Sequence, residues 1–307
     1  MEKSKKIIIA GGTGFLGNVL IDYFKKKYDT IFILSRSKTR IKDDIHYVHW
    51  DARHLGNWVS YLEDADVLIN LTGKSVDCRY NIKNKAAILS SRIDSTNILG
   101  EAIDKCNNPP KLWMNASTAT IYKHTLTEKM DEFSGVIGSG FSVDIATNWE
   151  NAFFSFNNSK TRKVALRTSI VLGNKSGALK PLIRLTKLGL GGKQGKGNQK
   201  FSWIHEYDFA KSIDFIINHS NLKGAINIVA PTPSTNSDLM KLLRKHLDKP
   251  FGIPINKFFL KFGAVIINTE TELILKSRNV IPKKLIDNNF EFKFRTLDEA
   301  LKNLIKD

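Results

Sequence analysis

A glycine-broken apolar run near the start of the chain has the make-up of a phosphate cradle. Ile7-Ile8-Ile9-Ala10 leads into Gly11-Gly12-Thr13-Gly14-Phe15-Leu16-Gly17, and Val19, Leu20, Ile21 and Phe24 then resume at helical spacing. The pattern predicts a buried strand, a tight turn and a helix. Gly11 permits the turn, Gly14 lets backbone N–H groups approach a pyrophosphate, and Gly17 lets helix and strand pack closely. The anion sits on the positive end of the helix, with Thr13, Phe15 and Leu16 completing the contact. A second strand, Thr30 to Leu34, runs into Ser35-Arg36. An NAD-preferring protein carries an acidic residue there for the ribose hydroxyls. Here the position is cationic, and Ser35 and Arg36 can hold a 2′-phosphate through charge-assisted hydrogen bonds. The expected cofactor is NADP(H) over NAD(H). Lys38 and Arg40 either join that site or stay solvated in the loop.

The elements that must position these residues follow in order. Ile45 to Trp50 alternates as a third strand and ends at Asp51, which in such folds lies near the adenine. Val67 to Leu71 is a fourth strand running into Thr72-Gly73, where a glycine again lets backbone approach a ligand. Both loops fall at carboxyl ends of strands, where an open parallel sheet binds its ligand. Apolar residues recur at helical spacing from Asn84 to Ile103, and Pro109-Pro110 ends that unit. Leu112 to Asn115 gives a fifth strand, leading into Ala116-Ser117-Thr118-Ala119-Thr120-Ile121-Tyr122. Val164 to Leu172 is a sixth, and the Gly- and Lys-rich stretch Gly189 to Lys200 is expected to form a flexible loop over the site. Phe201 to Asp208 is expected to re-enter the sheet, and Ala225 to Val229 adds the last strand. Beyond Pro231 helices are expected over Asp238 to Leu247, Lys257 to Ile267 and Leu297 to Ile305, with a Phe-rich piece at Phe290 to Phe294. The fold class is α/β: a Rossmann-like, doubly wound parallel sheet in residues 1–230, with an excursion at 174–200. A smaller C-terminal α+β region, 231–307, completes the substrate cleft.

With 307 residues, 42% of them hydrophobic, the chain can build a full core. No apolar run approaches the roughly 20 residues of a membrane helix. The charged start, Met1 to Lys6, leads straight into the strand and leaves no room for a signal peptide. Only Cys78 and Cys106 are present, without metal-ligand spacing, which fits a reducing compartment and no metal site. A cytoplasmic protein is expected. The formal charge of +17 suits phosphorylated ligands or nucleic acid, but its lysines are scattered, and no basic stretch alternates with aromatics as a stacking platform does. Small-molecule substrates are therefore favoured as partners over specific nucleic acid or membrane, and the oligomeric state is left open.

Together these residues resemble the extended short-chain dehydrogenase/reductase superfamily, and more closely its atypical branch of epimerase family proteins. The marks are the glycine loop, Ser35-Arg36, Asn70-Leu71-Thr72-Gly73, Ser91-Arg92, Trp149-Glu150, Gly189-Leu190-Gly191-Gly192 and Ser202-Trp203-Ile204-His205. Val280-Ile281-Pro282-Lys283 and Phe290-Glu291-Phe292 extend them into the C-terminal region. The resemblance implies that Ser35, Arg36, Leu71, Thr72 and Arg92 contact NADP(H), Arg92 near phosphate or ribose. It also implies that a Ser or Thr after the fifth strand, Ser117 or Thr118, orients the substrate. In the superfamily a Tyr with a Lys four residues later moves the proton, the cation lowering the phenol's pKa. That pair is absent from Phe133 to Ser159. Tyr23/Lys27 and Tyr207/Lys211 have the spacing elsewhere and are read as accidents of a lysine-rich chain. Tyr122 remains as a proton donor or a core tyrosine, and His205 as an acid/base group or a structural hydrogen-bonder. The expected function is an NADP(H)-dependent oxidoreductase or epimerase-like enzyme on a small carbonyl or hydroxyl substrate. The alternative is a catalytically silent NADP(H)-binding regulator or scaffold.

Overall fold

The computed structural model describes residues 4–174, 176–256 and 276–306. In chain order its strands are β1 Lys6–Ala10, β2 Thr30–Ser35, β3 Arg40–Lys42, β4 Ile45–His49, β5 Val67–Asn70, β6 Leu112–Thr118, β7 Arg162–Thr168, β8 Ile170–Leu172, β9 Lys200–Phe201, β10 Trp203–His205, β11 Gly224–Ile228 and β12 Ser234–Thr235. Its helices are α1 Phe15–Phe24, α2 Ile82–Lys105, α3 Phe141–Phe154, α4 Leu179–Lys187, α5 Glu206–Asn218, α6 Asn236–His246, α7 Lys283–Asp287 and α8 Leu297–Lys306.

Strand β1 explains the architecture. Ile7 to Ala10 are all fully buried, so both faces of the strand need cover. On one face Ile7 and Ile9 pack with Leu20 and Phe24 of α1 and Phe209 and Ile213 of α5. On the other, Ile8 and Ala10 pack with Ile98, Leu99 and Ala102 of α2 and Phe153 of α3. The result is a doubly wound α/β sheet of Rossmann type, in the order β11-β7-β6-β5-β1-β2-β4-β3. All pairs are parallel except β3 with β4. The order reverses beside β1, which opens a crevice between the carboxyl ends of β1 and β5. A third core joins Leu172, Leu179 and Trp203 to Leu239 and Leu243 of α6 and Leu301 and Leu304 of α8.

Several expectations change. The sheet is mixed, because Arg40–Lys42 turns back antiparallel onto β4. The fifth strand continues three residues further, so Ser117 and Thr118 lie within β6. The sixth breaks at Ser169 into β7 and β8. Trp203–His205 pairs with β8 in a separate two-stranded sheet and does not re-enter the main one. The 174–200 excursion contains helix α4. Gly189 to Lys200 is not a free loop: the Ile253 N–H donates to the Gly189 carbonyl, Ile255 exchanges bonds with Lys193 and Gly195, and buried Gln194 bonds Asn236. The helix expected over Lys257 to Ile267 lies outside the described residues. Among the described residues no helix is long and apolar enough to cross a membrane.

His205 caps the start of α5, where its Nδ1 accepts the Tyr207 N–H at 2.9 Å. Its Nε2–H then donates to Asn303 Oδ1 at 3.0 Å, and the ring stacks on Phe294. Burial pushes its pKa down to about 4. The native state therefore holds the imidazole neutral where the unfolded chain, at about 6.5, is protonated. Between about pH 6.5 and 4 the unfolded state binds more protons, so stability is lost as pH falls through that window, by up to about 3 kcal/mol. His205→Asn, which keeps a capping side chain, is expected to flatten this part of the thermal-stability profile. An unchanged profile contradicts the assignment.

Candidate active site at the carboxyl ends of the strands

The glycine loop is shaped by backbone contact on two sides and by open space on the third. Gly11 has φ +73°, and a Cβ there would lie 2.9 Å from Thr72 backbone. A Cβ on Gly17 would stand 2.1 Å from the Gly12 carbonyl oxygen. Gly14 differs: nothing lies within 4 Å of the place its Cβ would take. It caps α1 in extended backbone with no side-chain hydrogen bond to the helix's first N–H groups. Beside Gly11, the buried Thr72 hydroxyl has no hydrogen-bond partner among the described residues. The cradle fits a dinucleotide pyrophosphate: Thr13, Gly14, Phe15 and Leu16 would hold it on the helix end, between Gly11 and the Leu71-Thr72-Gly73 loop.

That second loop is fixed from below by a polar cluster. Asn70 and Asn115 are register partners at the ends of β5 and β6. The Asn70 amide donates to Asn115 Oδ1 at 2.8 Å, its Oδ1 accepts the Thr72 N–H at 3.0 Å, and the Trp149 indole donates to Thr96 Oγ1 at 3.0 Å. Arg92 reaches over the loop. Its guanidinium donates to the Lys74 and Ile88 carbonyls, lies over the Trp149 ring and would stand 3.0 Å from a Cβ at Gly73. Burial pushes its pKa down to about 10, which keeps it charged at neutral pH.

At the end of β2 Ser35 is buried and Arg36 is exposed, with no carboxylate partner among the described residues. Arg40 lies over the Tyr47 ring at 4.6 Å, along the sheet edge. Asp51 takes a hydrogen bond from the His54 ring at 2.6 Å and from the Arg53 and His54 N–H groups, which holds its carboxyl well below the usual range.

Beyond β5, the carboxyl ends of β6, β7 and β11 carry one row of polar residues. Ser117, Arg167 and Asn227 are register partners across β6, β7 and β11. Glu150 of α3 closes over that row: Arg167 donates to both of its carboxylate oxygens, at 2.8 and 2.7 Å, and the Ser117 hydroxyl donates to Oε1 at 2.6 Å. Burial works against the Arg167 charge, and Glu150 more than offsets it, holding the guanidinium above its ordinary pKa. Tyr122 joins the same cluster. It accepts from Arg167 Nη1 at 2.9 Å and donates to Asn227 Oδ1 at 2.9 Å.

This geometry separates the three hydroxyls expected to act in chemistry. Tyr122 is fully buried, its proton is directed to Asn227, and burial raises its pKa despite Arg167. It is placed as a structural hub and not as a solvent-facing acid. The Ser117 proton is committed to Glu150, which leaves Ser117 able only to accept. Thr118 is half-buried and accepts the Thr120 N–H at 3.1 Å, so its own O–H remains available to donate. The Glu150–Arg167–Asn227 cluster and the Asn70–Asn115 pair were not legible as partners, since their members are far apart in sequence. Polar residues closing otherwise apolar strands were the available signal. Tyr23 and Lys27 meet at 3.3 Å, but between α1 and α5 with Asp214, and Lys211 bonds the Glu291 carbonyl.

Residues 7–229 match the NAD dependent epimerase/dehydratase family, and residues 257–304 match a domain of unknown function, DUF1731. Epimerase family protein SERP0438 of Staphylococcus epidermidis is 33% identical to this chain, covering 98% of it and 99% of its own length. The crystal structure of human epimerase family protein SDR39U1 (isoform 2) with NADPH superposes with a TM-score of 0.88 at 28% identity, over 98% of this chain and 99% of that one. The nucleoside-diphosphate sugar epimerase of Corynebacterium glutamicum gives 0.79 at 25% identity, over 99% of this chain and 58% of that one.

The contrast between glycines is testable. Gly14→Ala should melt close to the parent, since its methyl enters open space, yet lose most dinucleotide affinity. Gly17→Ala should lose about 1–3 kcal/mol of stability through overpacking. Thermal melts with and without NADPH check both. Unimpaired NADPH binding by Gly14→Ala contradicts the placement of the pyrophosphate.

Proposed function

This chain belongs to the NAD dependent epimerase/dehydratase family, and from that premise we propose that it is an NADP(H)-dependent oxidoreductase or epimerase-like enzyme acting on a small carbonyl or hydroxyl substrate. The observation that carries the cofactor choice is Arg36: exposed, free of any described carboxylate partner, and set immediately after the last residue of β2. The NADPH in the human relative's structure supports the same choice. The sugar nucleotide named for the Corynebacterium relative makes that compound class the first to try.

When bound, the dinucleotide supplies or accepts a hydride at its nicotinamide. The chain's own residues do the rest. The glycine loop and α1 hold the pyrophosphate, Arg36 and Ser35 hold the 2′-phosphate, and Asp51 closes the adenine side. Leu71, Thr72, Gly73 and Arg92 form the opposite wall. Thr118 donates its hydrogen bond to the substrate oxygen, polarising a carbonyl. Ser117 and Tyr122 act with Glu150 and Arg167 to fix the end of β6 that carries Thr118. The C-terminal region, 231–307, completes the cleft.

A second reading has its own observation. Helix α3 carries neither Tyr nor Lys, and Tyr122 is sealed in the core. Both fit an NADP(H)-binding protein without turnover.

NADPH should bind at least roughly tenfold more tightly than NADH, the scale of one charge-assisted contact, and Arg36→Ala should erase most of the difference in a nucleotide-fluorescence titration. Equal affinities in the parent contradict the cofactor choice. NADPH consumption across sugar nucleotides, quinones and aldehydes, with Thr118→Ala lowering turnover but not NADPH affinity, supports the enzyme. Silence across that panel with intact NADPH binding favours the second reading.

A further inference from the structure

We propose that His49 belongs to the site that holds the 2′-phosphate, and that it engages the phosphate as an imidazolium, so that NADPH is taken up together with a proton. The inference rests on the NADP(H) reading above and adds a residue that nothing in the glycine loop or the Ser35-Arg36 pair announces.

Four observations carry it. His49 ends β4 as the register partner of Ser35, the residue that ends β2 before Arg36. Side chains paired in this way stand on the same face of neighbouring strands, about 5 Å apart. The loop between them is tied to His49 twice: its N–H donates to Thr39 Oγ1 at 3.1 Å, and its ring Nδ1 lies 3.3 Å from the Ser37 carbonyl oxygen. A carbonyl only accepts, so Nδ1 carries the hydrogen. The other nitrogen, Nε2, has no described partner, and the side chain is exposed. In the neutral ring Nε2 is a lone pair and repels a phosphate oxygen. In the protonated ring it is an N–H donor and binds one.

A phosphate held at this place favours the second state. Arg36 and Lys38 belong to the loop after β2 that is tied to His49, and Arg40 lies along β3 over Tyr47. Asp51, the nearest carboxylate along the chain, is taken by His54 and two backbone N–H groups. Asp43 and Asp44 lie at the opposite end of the β3–β4 pair. The free site is therefore a set of cations, and a doubly charged phosphate is the group that makes a further proton favourable there. NADH, which has a hydroxyl at that place, brings no such charge.

The test is the proton balance of binding between pH 7 and 8, where the 2′-phosphate, with its second pKa near 6, is already a dianion. Calorimetric titration with NADPH in two buffers of different ionisation enthalpy should show net proton uptake, and the NADPH Kd should rise about two- to fivefold from pH 7 to 8, the scale of a solvent-exposed charge pair. NADH should show neither effect. His49→Gln should lose both while still preferring NADPH. If His49→Gln keeps the parent's uptake and pH dependence while Arg36→Ala abolishes the NADPH preference, the proposal is overturned and the cofactor reading stands. If the parent binds NADPH and NADH alike at every pH, the cofactor reading fails and the proposal with it.

Discussion

The buried pair between Glu150 and Arg167 is the constraint around which the carboxyl ends of β6 and β7 are arranged. It links α3 to β7, and through Ser117 and Tyr122 it reaches β6 and β11. The side chains are only 10% and 12% exposed, so desolvation of both ions must be offset by geometry, which the bidentate contact and the Ser117 hydrogen bond supply. Such a pair contributes less to net stability than to uniqueness. An apolar substitute of equal volume leaves the Ser117 hydroxyl without its acceptor and the Tyr122 hydroxyl with Asn227 alone, and a single truncation leaves an uncompensated charge. The same interaction decides which hydroxyl has a proton to give. Ser117 is saturated, Tyr122 is shared between Arg167 and Asn227, and Thr118 alone of the three keeps a free donor.

The cofactor end obeys a different constraint, the approach of backbone to backbone. Gly11 against Thr72 and Gly17 against Gly12 bring two loops close enough to leave a cradle at Gly14. Both loops begin where the strand order reverses, so sheet topology and glycine sterics place the cradle together. The Asn70–Asn115 pair then stiffens the wall opposite α1. The cluster on the far side continues past Tyr122: Asn227 donates to the Ile281 carbonyl and Glu132 accepts the Asn227 N–H, so the residues after 276 are tied to the row that carries Ser117.

Local pattern carried much of this in the sequence. Ile7 to Ala10 and the glycine spacing gave strand, turn and helix because each depends on neighbours within a few residues. The place of Arg36 was readable because it follows directly on a strand. What depended on distant partners was hidden. Glu150 had no evident partner because Arg167 lies on a strand distant in sequence, and Tyr122 stayed open between proton donor and core tyrosine because its burial comes from residues up to 158 positions away, such as Val280. Gly189 to Lys200 looked like a loose flap because its composition is that of a linker, while bonds to Asn236, Ile253 and Ile255 hold it down. The antiparallel β3 was missed since three exposed residues, Arg40 to Lys42, carry no apolar alternation.

The central claim is that the Glu150–Arg167 pair presents Thr118 to the reacting centre and keeps Tyr122 out of it. A crystal structure of the complex with NADPH tests this directly. The account predicts the Thr118 hydroxyl lining the space over the nicotinamide, Arg167 still bidentate on Glu150, and the Tyr122 hydroxyl still bonded to Asn227. A Tyr122 side chain released from Asn227 and turned toward the nicotinamide contradicts it.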